Sequence, residues 1–234
     1  MNVEYKAGGV TMEGYLAYDE AKASPRPGIL IVHDWMGLRS FVQNKAQELA
    51  GQGYVALAAD IYGKGVLPTD TAEAAALATK YKADRKLLRE RIRAAYDKLA
   101  SMVEVNPNKM LVMGYCFGGT TALELARSGA PLAGTVSFHG GLSTPTPEDA
   151  RNIKGRVLVL HGADDPNVPT AEVRGFKDEM KKANVNIRFI AYKGAVHAFT
   201  NAEAGSDNRK GAAYNAEADR KSWVEFQKFL KEVM

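Results

Sequence analysis

The 234 residues contain one cysteine, Cys116, so no disulfide can form within the chain. The opening residues, MNVEYKAGGVTMEGY, have no basic stretch followed by an apolar run, so no signal peptide is expected. No apolar stretch approaches the roughly 18 residues that span a bilayer. A cytoplasmic location and no membrane partner are the resulting expectations. Histidine is scarce as well. His33, His139, His161 and His197 are scattered and form no ligand cluster with a lone cysteine, so neither a metal nor another cofactor is expected. Cys116 itself has two readings. It is a small buried hydrophobe, or it is a nucleophile served by histidine and aspartate from elsewhere in the chain.

What is present is the composition of an ordinary globular protein, 46% hydrophobic and 25% charged, of a length that suits one domain over residues 1–234. The net charge is +4, and much of the excess lies between Lys80 and Lys98. Leu88, Ile92, Ala95, Tyr96 and Leu99 recur there at helical spacing, so the basic residues read as the solvated face of a helix. No nucleic-acid recognition motif accompanies them, and no nucleic-acid partner is expected.

Near-continuous apolar runs at 28–33, 54–58, 110–113, 135–138, 157–160 and 187–191 read as strands covered on both faces. Helical patterns lie between them, at about 40–52, 70–102, 118–128, 170–183 and 209–232. This alternation predicts an α/β fold, a mainly parallel doubly wound sheet flanked by helices, with no large cap domain. Residues 3–6 and 13–18, around a glycine pair, predict an antiparallel hairpin at the sheet edge. Ligands of such sheets gather beyond the carboxyl ends of the strands, so polar residues just after the apolar runs are the candidates.

The strand at 110–113 runs into Gly114-Tyr115-Cys116-Phe117-Gly118-Gly119 and then a helix. That is the form of a nucleophile elbow with sulfur in place of oxygen, a sharp strand-to-helix turn with the nucleophile at its tip. Gly114 and Gly118 are required because side chains there would collide as the chain doubles back. The turn also sets the thiol at a helix N-terminus, whose partial positive charge favours thiolate. Elbow hydrolases follow the chain order nucleophile, acid, histidine. His197, in the loop after the last strand, is the expected base. His161 reads as a packing residue, and His139 as a residue lining the pocket. The acid comes from Asp164-Asp165, and such a carboxylate fixes the imidazole's tautomer and stabilises imidazolium. Backbone N–H groups of Phe117 and Trp35 are the expected oxyanion donors.

Taken together, His33-Asp34-Trp35-Met36-Gly37, Asp60-Ile61-Tyr62-Gly63, the cysteine elbow, the stretch His161 to Pro169 and His197-Ala198-Phe199 resemble the dienelactone hydrolase family of α/β-hydrolases. The resemblance covers nearly the whole chain, and cysteine in the elbow is its specific mark. It implies Asp165 as the acid, by its place four residues before the proline of D-x-x-V-P. It also implies that a carboxylate after the third strand, here Asp34, takes the thiol proton. The other reading of Asp34 is a cap on the following helix. In the family's namesake an arginine four residues after the histidine binds a substrate carboxylate. Asn201 stands there instead, and Lys64, Lys80, Lys82 and Arg85 are the candidates for a second cationic contact.

The expected function is therefore cysteine-dependent hydrolysis of a small ester or lactone through a thioacyl enzyme, by Cys116, His197 and Asp165. Met36, His139, Phe199 and Asn201 are expected to line the substrate pocket. Cleavage of activated phosphotriesters is a side possibility, because a thiolate can attack phosphorus. A binding protein that merely keeps the fold is the rival from another class. The partner expected is a small molecule, bound by a monomer or small homo-oligomer.

Overall fold

The computed structural model describes residues 1–234. In chain order, β1 (Asn2–Ala7) and β2 (Val10–Ala17) form a hairpin, followed by β3 (Arg26–Val32), α1 (Ser40–Gly51) and β4 (Val55–Ala59). Then come α2 (Thr71–Ala83), α3 (Arg85–Ala100), β5 (Val105–Tyr115), α4 (Phe117–Arg127), β6 (Gly134–Phe138) and β7 (Arg156–Gly162). The chain ends with α5 (Thr170–Lys182), β8 (Ile187–Tyr192) and α6 (Ala216–Val233). The eight strands make one sheet in the order β1-β2-β4-β3-β5-β6-β7-β8. Every pairing from β4 to β8 is parallel, and the β1–β2 and β2–β4 pairings are antiparallel. No helix is long and apolar enough to cross a membrane.

The continuity of the apolar runs has a direct cause. Side chains alternate faces along a strand, and both faces of this sheet are covered. Leu30, Val32, Leu57 and Val112 pack with Leu88, Ile92 and Leu99 of α3 and with Leu125 of α4. Ile29, Ile31, Ala56 and Met113 face the other way, against Leu49 of α1 and Phe226, Phe229 and Leu230 of α6. Beyond β6, Val157 and Val159 pack on Phe176 and Met180 of α5.

Three sequence readings need correction. The helical pattern at 70–102 is two helices, because Asp84 leaves helical geometry and its carboxylate accepts the Leu87 N–H as the cap of α3. The last helix starts at Ala216 rather than near 209. Asn215 caps it by accepting the Ala218 N–H, and the preceding residues run through two short 3₁₀ turns. The basic face of α3 is also only partly solvated. Arg91 is buried against Met12, and Arg89 pairs with the buried Glu124 and with Asp149.

The elbow is where the packing is tightest. A Cβ on Gly114 would overlap the Gly118 carbonyl, and one on Gly118 would overlap the Val32 carbonyl and stand 2.6 Å from the His33 oxygen. By contrast, Gly175 on α5 has open space around the same position. Gly118→Ala is therefore expected to lower stability by about 3 kcal/mol, as overpacking against unyielding backbone does. Gly175→Ala is expected to raise it by about 0.5–1 kcal/mol through helix propensity. Urea unfolding of the two variants checks both signs, and equal effects would refute the packing argument.

Candidate active site

Cys116 sits at the tip of the turn between β5 and α4 with φ 54° and ψ −114°, a conformation L-residues avoid. Its N–H donates to the Phe138 carbonyl at 3.0 Å, and its carbonyl accepts from the Gly119 N–H at 3.0 Å. The turn is thus held from β6 on one side and from the first turn of α4 on the other. The thiol faces the ends of the neighbouring strands, where three loops bring the other candidates.

His197 follows β8, and its backbone N–H and carbonyl bond Gly211 and Ala213 across the loop that leads to α6. Its Nε2 lies 3.0 Å from Cys116 Sγ and its Nδ1 lies 2.8 Å from Asp165 Oδ2. The Asp165 side chain is fully buried, and its other oxygen accepts the Asn167 N–H at 2.8 Å. Asp164 turns away and accepts the Gly194 N–H at 2.9 Å. Adjacent residues after a strand point in different directions, which separates the two carboxylates. Burial works against charge on His197. The negative charge of the Cys116 sulfur and the hydrogen-bonded Asp165 carboxylate outweigh it, and the imidazole pKa is pushed up to about 10.

The other imidazoles have the opposite character. His139 is buried, with its ring centroid 5.4 Å from that of His197 and its Nε2 2.8 Å from Thr200 Oγ1. Burial, reinforced by the charge on His197, holds its pKa well below the ordinary value. His161 lies within β7, packed 5.5 Å from Phe189, and burial lowers its pKa too. Of these three rings only His197 has its pKa raised, and burial lowers the other two.

The thiol opens on a cavity of about 750 Å³. Asp34, Trp35, Met36, Phe117, His139 and Asn201 line it. Phe199 does not. It is fully buried, packed on Tyr192 and 5.0 Å from the His139 ring, so it supports the floor instead of meeting a ligand. Asp34 makes no hydrogen bond to Cys116. Its carboxylate accepts the Met36 N–H at 2.8 Å and closes a local turn four residues ahead of α1, so it does not cap that helix either. Burial raises the Asp34 pKa above the usual carboxylate range. Neither the Trp35 nor the Phe117 N–H donates to a protein acceptor.

Of the cationic candidates, Lys82 alone lines the cavity. Lys64 pairs with Glu4 and Glu13, Lys80 lies over the Tyr81 ring, and Arg85 donates to the Ser143 carbonyl. Thr200 and Glu203 on the wall were missed from the sequence. No pattern in the sequence marks them, because the turn from Ala198 to Asn201 and the 3₁₀ turn after it set which side chains face the cavity.

This architecture and this arrangement of nucleophile-type, base-type and acid-type side chains at strand ends define an α/β-hydrolase. Within that class the chain belongs to the dienelactone hydrolase family, whose sequence profile matches residues 12–234. The structure is similar to that of a protein titled m3DLH, with a TM-score of 0.95 and 38% identity over 100% of this chain and 98% of the other. It is similar to the crystal structure of P91 from metagenomic libraries, titled a dienelactone hydrolase-like promiscuous phosphotriesterase. There the TM-score is 0.93, with 38% identity over 100% of this chain and 97% of the other. A Saccharolobus solfataricus protein provisionally named a carboxymethylenebutenolidase is 26% identical over 98% of this chain and 97% of its own.

The charge on His197 can be read in solution. With a folded pKa near 10 and an unperturbed value of 6.5, the ion pair stabilises the fold in full below about pH 6.5. That stabilisation fades as pH rises towards 10. Cys116→Ser removes the anionic partner. The His197 resonance of the variant, followed by NMR, is expected to titrate below that of the wild type, with a smaller loss of Tm between pH 6.5 and 10. An unchanged titration would show that the sulfur is not the charged partner.

Proposed function

We propose that the protein hydrolyses small carboxylic esters or lactones through a covalent thioacyl enzyme, with Cys116 as nucleophile, His197 as base and Asp165 as the orienting acid. One observation carries the reading: a single imidazole bonded at once to sulfur, at 3.0 Å, and to a buried carboxylate, at 2.8 Å, on the wall of a cavity. The Cys116 thiolate attacks the carbonyl carbon, and the oxyanion that forms is bound by the Trp35 and Phe117 amides. Those two N–H groups are free of protein acceptors, and each such donor contributes about 3 kcal/mol in comparable sites. The intermediate collapses, and the leaving alkoxide takes its proton from the His197 imidazolium. The neutral imidazole then removes a proton from water, which attacks the thioester and releases the acid and the thiolate.

His197, and not Asp34, is assigned the thiol proton. The sulfur's hydrogen-bond partner is His197, while the Asp34 carboxylate is engaged by the Met36 amide. A second reading concerns phosphotriesters. A thiolate can displace a good leaving group from phosphorus, and the same two amides suit the developing phosphoryl oxyanion. The likeness to P91 favours that side activity.

Cys116→Ala is expected to lower kcat by several orders of magnitude with the fold retained. Iodoacetamide should inactivate the wild type with one label, at Cys116, and full activity after stoichiometric labelling would exclude the mechanism. Asp165→Asn should cost about 10³–10⁴ in kcat, and Asp164→Asn far less, because Asp164 bonds a backbone amide instead of the imidazole. The reverse ranking would reassign the acid.

Substrate charge is the other discriminating property. Asn201 carries no charge, and its side-chain oxygen is occupied by the Glu203 N–H. Lys82 is the one lysine or arginine on a wall that also carries Asp34 and Glu203, and the His197 imidazole is engaged by Cys116 and Asp165. A carboxylate in a partly dry site without a firm cationic partner is costly. Neutral aryl or short-chain acyl esters are expected to have kcat/KM about 10- to 150-fold above carboxylate-bearing lactones, the worth of one charge-assisted contact. Asn201→Arg should narrow the gap. A wild-type preference for the anionic lactone would overturn the assignment.

A further inference from the structure

His33 is fully buried behind the site and is absent from the cavity wall. It follows β3, and both of its ring nitrogens meet backbone. Nδ1 lies 2.6 Å from the Asp34 carbonyl oxygen, and Nε2 lies 3.3 Å from the Ile61 amide nitrogen. A carbonyl can only accept and an amide N–H can only donate. The ring therefore carries its proton on Nδ1, and Nε2 is bare. An imidazolium would set a second N–H against that of Ile61. Burial, which pushes the His33 pKa down, works the same way. With both nitrogens occupied and no exposed surface, His33 has no free group with which to touch a substrate.

What it does hold is the peptide between Asp34 and Trp35. In a trans peptide the C=O and the following N–H lie in one plane and point in opposite directions. Fixing the Asp34 carbonyl from inside the fold therefore fixes the direction of the Trp35 N–H on the cavity side. The next peptide plane is held as well, because the Tyr62 hydroxyl donates to the Trp35 carbonyl at 2.9 Å. Tyr62 packs edge-on against the His33 ring with centroids 4.8 Å apart. The His33 ring also stacks near the ring of Phe117, at 5.9 Å, and Tyr62 and Phe117 lie 5.5 Å apart. One imidazole thus bonds the loop that carries one free amide and packs against the residue that carries the other.

We propose that His33, with its proton on Nδ1, is the positioning residue of the oxyanion-binding pair and aims the Trp35 amide at the developing negative charge. This rests on the thioacyl mechanism proposed above, in which that amide binds the oxyanion. The role differs from general support of the fold in a measurable way. Ester acylation needs the oxyanion donors, whereas alkylation of Cys116 by iodoacetamide forms no oxyanion and needs the thiolate alone.

The test combines a spectrum with two variants. In ¹⁵N-histidine NMR of the intact protein at pH 7, His33 is expected to show a protonated Nδ1 and a bare Nε2. His33→Leu keeps an apolar side chain of similar bulk without either bond. Its kcat on a neutral aryl ester is expected to fall about 100-fold, as when one oxyanion donor is lost. KM and the rate of Cys116 alkylation should stay within about threefold of wild type, as for an interaction made only in the transition state. His33→Asn places an amide donor near the Nδ1 position and is expected to keep kcat within about tenfold of wild type.

An Nε2-protonated ring or an imidazolium at pH 7 would overturn the proposal. So would a His33→Leu variant with unchanged kcat, or one that loses alkylation and hydrolysis alike. If His33→Leu does not fold, the nitrogen spectrum and His33→Asn decide, and an Asn variant below a tenth of wild-type kcat overturns it. Failure of the thioacyl mechanism itself would look different: Cys116→Ala would then keep wild-type kcat.

Discussion

The backbone of α4 passes so close to the end of β3 that Gly118 has no room for a Cβ beside the Val32 and His33 carbonyls. That approach brings the loop after β3 against the elbow after β5, although 83 residues separate His33 from Cys116 in the chain. It also forces the strained φ of 54° at Cys116, because the chain must reverse within one residue between strand and helix. The thiol, the Phe117 amide and the loop bearing the Trp35 amide become neighbours as a result. The surrounding parallel strands hold this arrangement by register. Gly114 pairs with Val32 on one side and Ser137 on the other, so an elbow displaced along β5 would break two ladders at once.

On this frame, burial acts with different outcomes on chemically identical side chains. Burial disfavours a charge on His33, His139 and His197 alike. The His197 pKa is raised because Cys116 and a buried carboxylate flank it. His139 faces that charge, which deepens its own neutrality. The bonds at His33 admit a single tautomer. Of the buried rings, only His33 has both nitrogens engaged, whereas His139 bonds Thr200 through Nε2 alone.

The sequence made the frame legible because both faces of the sheet are buried, so strands appear as continuous apolar runs and the residues after them stand out. Cys116, His197 and the Asp164-Asp165 pair stand out by position after strands, and the structure brings Cys116, His197 and Asp165 together. What the sequence could not carry was set by local competition. Asp84 divides a helical pattern that periodicity alone reads as continuous, since a short polar side chain that captures an amide outweighs helix propensity. Phe199 beside the catalytic-type histidine looks like a pocket residue, yet the turn from Ala198 to Asn201 sends it into the core and leaves Thr200, bonded to His139, at the cavity. His33 carried no legible role, because its function depends on where the Ile61 amide falls, and nothing near His33 in the chain encodes that.

Chemistry and recognition occupy different parts of the fold. The thiol and the acid sit on strand ends tied into the ladder, whereas much of the cavity wall comes from the segment after His197. Thr200, Asn201, Glu203, Ala204 and Ala212 all belong to it. That segment is held by short 3₁₀ turns capped by Asn201 and Asp207, and by contacts between His197 and residues 211–213. Loops of this kind accept substitution at less cost than packed strands. A relative with 38% identity can therefore keep the reacting atoms in place while the wall that meets the substrate changes in charge and shape. Family membership consequently constrains the reaction more strongly than the substrate. In this chain that wall combines the uncharged Asn201 with Glu203 and Asp34, a lining unfavourable to an anionic ligand under the proposed function.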